Sequence, residues 1–129
     1  VVHLGTNTHD KLADRSISFG SGDNTGHYNG SAIVQDAADT INLNTWQHVS
    51  VIKAGTNIKI YLVGSLSHEG QIKKSAIVYN SGYSLSIGKE LTDTGSHYNS
   101  HYQGLIDDMR IYDRALSAEE VQALYNLGQ

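Results

Sequence analysis

The 129-residue sequence has no cysteine and no proline, and only one phenylalanine, one methionine and one tryptophan. Without cysteine there can be no disulfide framework and no thiolate metal site, and the redox compartment stays open. Without proline the turns fall to Gly, Asn and Ser, and the 13 glycines fit that role. Basic residues are also scarce. Nine Lys and Arg stand against 13 Asp and Glu, and no basic run exceeds Lys73-Lys74. The electrostatic footprint of a nucleic-acid-binding surface is therefore missing. No apolar stretch approaches the roughly 18–20 residues that a membrane-spanning helix needs, and no secretion signal opens the chain. Val1 in place of methionine reads as a processed start or a piece of a longer polypeptide. The length suits a single domain over residues 1–129. Folding at that size buries roughly two-thirds of the unfolded surface.

Short apolar-alternating runs recur between clusters of Gly, Asn, Asp and Ser, the pattern of an all-β protein. "VVHLG", "SISFG" and "GSAIVQD" are the first candidate strands. "WQHVSVIKAG" follows, with Trp46, Val49 and Val51 read as core, although Trp46 needs a bend to share the face of the two valines. After a "GTN" turn, "NIKIYLVG" sets Ile58, Ile60 and Leu62 on one face and Lys59 and Tyr61 on the other. "SAIVYN" and "YSLSIGK" pair across Asn80 to Gly82. "LIDDMRIYD" alternates Leu105, Asp107, Met109 and Ile111 against Ile106, Asp108, Arg110 and Tyr112. One helix closes the chain: Ser117 is its expected N-cap, Glu120 completes a capping box, and Val121, Leu124 and Tyr125 form an apolar stripe.

Two stretches resemble a known family. "YQGLIDDMRIYDRALSAEEVQALYN", from Tyr102 to Asn126, resembles the closing segment of laminin-G-like domains of the concanavalin A-like lectin/glucanase superfamily. "TWQHVSVIKAGTNIKIYLVGSL", from Thr45 to Leu66, is similar to the central hairpin of the same family, and "SLSIGKE" to the strand before its closing segment. Val63 stands where that family usually has the Asp of an Asp-Gly turn. The resemblance implies an all-β, two-sheet antiparallel jelly-roll sandwich with one short C-terminal helix, binding ligands on a concave face or at the rim. It also implies earlier strands that the motifs of residues 1–44 do not match. A homodimer or a complementing N-terminal segment is then expected to cover the exposed sheet edge.

Candidate ligand-binding residues sit in two loops that share the triplet His-Tyr-Asn. "SGDNTGHYNG" carries Asp23, Asn24, His27 and Tyr28, and "SHYNSHYQG" carries His97, Tyr98, Asn99 and His101. An exposed aromatic ring beside amide and imidazole groups suits stacking on a sugar while bonding its hydroxyls. A polar loop that merely closes a hairpin is the plainer alternative. His97 and His101 are four apart, which shares a face on a helix but not on a strand, so a histidine metal site lacks its geometry. Asp23 and Asn24 could offer oxygens to calcium, yet turn chemistry alone accounts for them. Tyr102 matches the aromatic before Gly in the family's closing segment, so the resemblance implies that it is core rather than part of the ligand loop.

Alternation directs Asp107 inward beside Met109 and Ile111, where an unpaired charge is costly. It should therefore meet a cation, an arginine or several N–H groups. In related jelly-roll glucanases the matching aspartate contributes to a structural calcium, so the resemblance implies a possible calcium site at Asp107. Catalysis is not expected. The Glu-x-Asp-x-(x)-Glu strand of the glucanases is absent, as are a Gly-x-Ser-x-Gly elbow and a phosphate-binding glycine loop. The sequence thus reads as a non-catalytic carbohydrate-binding, lectin-like module that works outside the cell or at its surface. A structural or adhesive module that binds protein or itself is the alternative.

Overall fold

The computed structural model describes residues 2–5, 16–20, 33–35, 40–72, 87–88, 102 and 104–128. The chain divides into two units, Val1–Val78 with Tyr112–Gln129, and Tyr79–Ile111. In the first unit the described residues form six strands and one helix: β1 (Val2–Gly5), β2 (Ser16–Gly20), β3 (Ile33–Gln35), β4 (Val49–Ala54), β5 (Asn57–Leu62), β6 (Ser65–Gln71) and α1 (Ala118–Leu127). They make two three-stranded antiparallel sheets, ordered β1-β2-β3 and β4-β5-β6. The strands expected from "VVHLG", "SISFG" and "SAIVQ" are β1, β2 and β3, with Val2 opposite Phe19 and Phe19 opposite Val34.

The β4-β5-β6 sheet follows from the period of two. Ile58 and Ile60 are fully buried on one face with Ile72, and Ile41, Val49, Val51 and Leu62 pack against them. The other face is not left to water. Tyr61 is buried there with Leu116 and Val121, flanked by Ile52 and Leu124. A strand that buries both faces needs a second layer on each, and α1 supplies one of them. Toward the end of this sheet's second face the chain turns polar. Lys59 lies opposite Glu69, their charged ends 3.8 Å apart, and Asn57 Nδ2 donates to Glu69 Oε1 at 2.6 Å.

Two tight turns set the register. β4 and β5 join through Gly55-Thr56, with Ala54 opposite Asn57, and β5 and β6 through Val63-Gly64, with Leu62 opposite Ser65. Val63 and Gly64 both take positive φ, 45° and 80°, as a type I′ hairpin turn requires. The turn is therefore kept although its Asp is gone, and a β-branched residue holds a conformation that suits Gly, Asn or Asp. A register shift between Ile60 and Tyr61 places His68 opposite Ile60 and Leu66 opposite Tyr61. The extra residue brings Leu66 onto the Tyr61 side of the sheet.

The helix starts as its sequence demands. Ser117 Oγ accepts from the Glu120 N–H at 3.2 Å, and Glu120 Oε2 accepts from the Ser117 N–H at 2.8 Å. Gly128 closes the other end, its N–H donating to the Tyr125 carbonyl at 3.1 Å with φ of −94°. Arg114 adds a two-pronged contact to the Glu120 carboxylate, at 2.8 and 2.5 Å. That hydrogen bond, helped by the Ser117 N–H, holds the Glu120 carboxyl down at about 2 from an ordinary value of 4.5. A carboxylate whose folded pKa is depressed adds stability above its unfolded value and loses it as pH falls through the folded one. The melting temperature should thus fall between about pH 4.5 and pH 2 by more in the parent than in Glu120→Gln. Glutamine keeps the capping box but cannot ion-pair. Parallel pH profiles for the two proteins would contradict this, and because the pair is exposed, added salt should shrink the difference.

The alternation of "LIDDMRIYD", which lies in the second unit as far as Ile111, does not become a strand. Asp108 takes a positive φ of 50°, and Asp107 Oδ1 accepts the Asp108 N–H at 2.8 Å. That local bond competes with ladder pairing, and the left-handed residue breaks the extended path. Leu105, Met109 and Ile111 are accordingly exposed, at 76%, 56% and 75%. Tyr102, expected as core, is 44% exposed and donates its N–H to the Gly88 carbonyl at 2.8 Å.

Candidate functional site

Asp23, Asn24, His27 and Tyr28, and His97, Tyr98, Asn99 and His101, lie outside the described residues. Asp107 is described, and the inward orientation expected of it is not found. It is exposed, one oxygen is engaged by the next N–H, and its neighbour Asp108 stands 3.9 Å from the Arg110 guanidinium. Among the described residues no three His, Cys, Asp or Glu side chains gather where a metal ion could be held. Calcium needs six to eight oxygens. Asp107 with its neighbour Asp108 offers only part of such a set among the described residues.

Two surfaces of the first unit stand out. A broad, open groove of about 710 Å³ runs between the β5–β6 hairpin and α1, lined by residues such as Lys59, Ser65, Leu66, Gln122 and Asn126. Tyr61 is at its base, but only 4% of that residue is exposed. Its ring is committed to Val121 and Leu116 and offers no stacking surface.

The second surface is the segment that leads into β4. Trp46 and Leu43 are each 65% exposed there, so the expected core role of Trp46 is overturned. The physical reason is parity. Val49 and Val51 point to the core face, and an even-numbered residue ahead of them does so only if the backbone bends to bring it back. The bend that does occur, at Asn44 with φ of 56°, leaves the indole outside. The misfit between Trp46 and the valines was the signal in the sequence that could have marked this side chain as a surface group.

The segment is well tied. The Asn42 N–H donates to Gln47 Oε1 at 2.8 Å, and Thr45 Oγ1 donates to the Leu43 carbonyl at 3.3 Å. The His48 carbonyl accepts from the Val63 N–H at 2.8 Å, and the His48 ring lies 6.0 Å from that of Tyr125, tilted by 49°. The indole thus projects from a loop whose far end is fastened to the β5–β6 turn.

Two antiparallel sheets and a capped C-terminal helix, with an exposed tryptophan ahead of β4, place the described residues among antiparallel β proteins closed by a helix. Residues 5–122 match the laminin-G model described as the concanavalin A-like lectin/glucanases superfamily, and the chain belongs to that family. The match begins forty residues before the stretches whose motifs carry the resemblance in sequence, so it takes in β2 and β3 as well. The chain is similar to the crystal structure of an S-layer domain-containing protein (residues 221–444) from Clostridium thermocellum, at 30% identity and a TM-score of 0.56. That likeness covers 86% of this chain and 52% of the other, so this chain spans about half the length of its structural neighbour. No curated protein matches the chain.

Proposed function

We propose that the chain is a non-catalytic carbohydrate-binding module built on a two-sheet jelly-roll sandwich. The family match over residues 5–122 carries this reading, because it rests on most of the chain rather than on one motif. The loops bearing Asp23, Asn24, His27, Tyr28, His97, Tyr98, Asn99 and His101 supply stacking rings and hydroxyl partners. The missing carboxylate pair argues for binding without hydrolysis. An extracellular or surface location follows the same line, supported by the S-layer domain of the structural neighbour.

A glycan array, printed in calcium and again in EDTA, tests the reading and any metal requirement together. Retention on at least one glycan class is expected, with Tyr98→Ala weakening it about tenfold and leaving the melting temperature unchanged. A blank array under both conditions would remove the proposal. The exposed apolar side chains of Leu105, Met109 and Ile111 favour a second reading, a self-associating or adhesive module. Light scattering after size exclusion decides that one: a monomer at all concentrations speaks against it.

A further inference from the structure

We propose that Trp46 is a stacking platform for a single pyranose ring, made by residues other than those of the two His-Tyr-Asn stretches. The inference rests on the carbohydrate-binding reading and adds a site to it. Three observations support it. The indole is 65% exposed, and the neighbouring Leu43 is equally exposed, so two large apolar groups stand in water within one short loop. A loop of that kind is costly to keep wet, and covering it is the favourable step in any binding event there.

The loop is also preorganised. The Asn42–Gln47 and Thr45–Leu43 hydrogen bonds close it on itself, and the His48–Val63 bond ties it to the hairpin. Less backbone freedom is lost when a ligand docks on a segment already tied in this way. Third, the segment that carries the ring is chemically mixed: Asn42, Asn44 and Thr45, its near neighbours in the chain, are all exposed. An apolar plate edged by amides and a hydroxyl matches a sugar, whose ring offers one C–H face and a rim of hydroxyls. A purely apolar ligand would leave those polar groups without partners.

The ligand class follows from the flatness of the indole. Pyranosides with all hydroxyls equatorial, as in β-linked glucose, expose an unbroken C–H face, whereas an axial hydroxyl interrupts it. One ring on one indole gives weak binding, so chains of such units should be held far better than monomers through repeated encounter.

The chain contains one tryptophan, so its fluorescence reports this site alone. Titration of the full chain with cellohexaose should shift the emission to the blue and saturate. Trp46→Ala should reduce retention on a cello-oligosaccharide column about tenfold, and Trp46→Tyr, which keeps a ring, should restore part of it. If the chain binds glycans on the array but cellohexaose leaves the emission unmoved, or Trp46→Ala and Trp46→Tyr both bind as the parent does, the platform is overturned and the module reading stands. If no glycan is bound at all, both fail.

Discussion

Ile60→Ala is expected to lower the free energy of unfolding by about 3–4 kcal/mol, the middle of the range for a buried isoleucine cut back to alanine. Ile60 has no exposed surface; alternation along β5 sets it on one face with Ile58, and Ile72, just past β6, completes the cluster. The loss combines the transfer of the missing methylenes with the void they leave, since neighbours on a paired strand relax little. A urea melt should show the change in midpoint, and the melting temperature should fall by roughly 10 °C. Leu43→Ala is the control: at 65% exposure it should cost less than about 0.5 kcal/mol. A loss below about 1 kcal/mol at Ile60 would mean that the β4-β5-β6 sheet has no core on that face.

The hairpin was legible because its signal is local and redundant. "NIKIYL" alternates without a fault, turn residues bound it at both ends, and cross-strand pairing rewards the same face that alternation selects. The helix was legible for a similar reason. Ser117 and Glu120 answer each other across three residues, and no distant group has to be known to see it. The burial of Tyr61 was harder. Its parity places it with Lys59, which reads as solvent-facing, and only the docking of Val121 and Leu116 makes that side a second core. A residue sixty positions away decides it, and no pattern within the strand records that.

The errors lie where short-range chemistry opposes the alternation. "LIDDMRIYD" has a faultless period of two, yet the Asp107 carboxylate finds its donor one residue on, and Asp108 turns left-handed. Aspartate is a good turn former and is depleted in strands, and period alone does not weigh that preference. The same holds for Trp46, where size and hydrophobicity argued for the interior while parity argued against it. For the ligand loops the sequence yielded residue types suited to sugars but no convergence, because whether Tyr28 and Tyr98 meet depends on the order of strands far apart in the chain.

Gly64→Ala should be the second severe substitution, at about 2–4 kcal/mol. Two independent costs add at this one position. The residue holds φ of 80°, where a Cβ crowds its own following carbonyl, a penalty of about 1–2 kcal/mol. The Cβ would also stand 2.8 Å from Tyr125 Cδ1 and 2.9 Å from the end of Gln122, so the helix side chains must give way. Displacing them loosens the seat of α1 on the hairpin, an overpacking cost of about 1–3 kcal/mol. Val63→Asn, one residue earlier in the same turn, should move stability the other way by about 0.5–1 kcal/mol, since Asn tolerates the φ of 45° that strains a β-branched side chain. Opposite shifts in the urea midpoint from adjacent positions would show that the turn conformation, and not surface polarity, sets the result. Equal melts for Gly64→Ala and the parent would mean that the Val63-Gly64 turn is not the left-handed pair that fixes the β5–β6 register, and the seating of α1 against it would have to be given up as well.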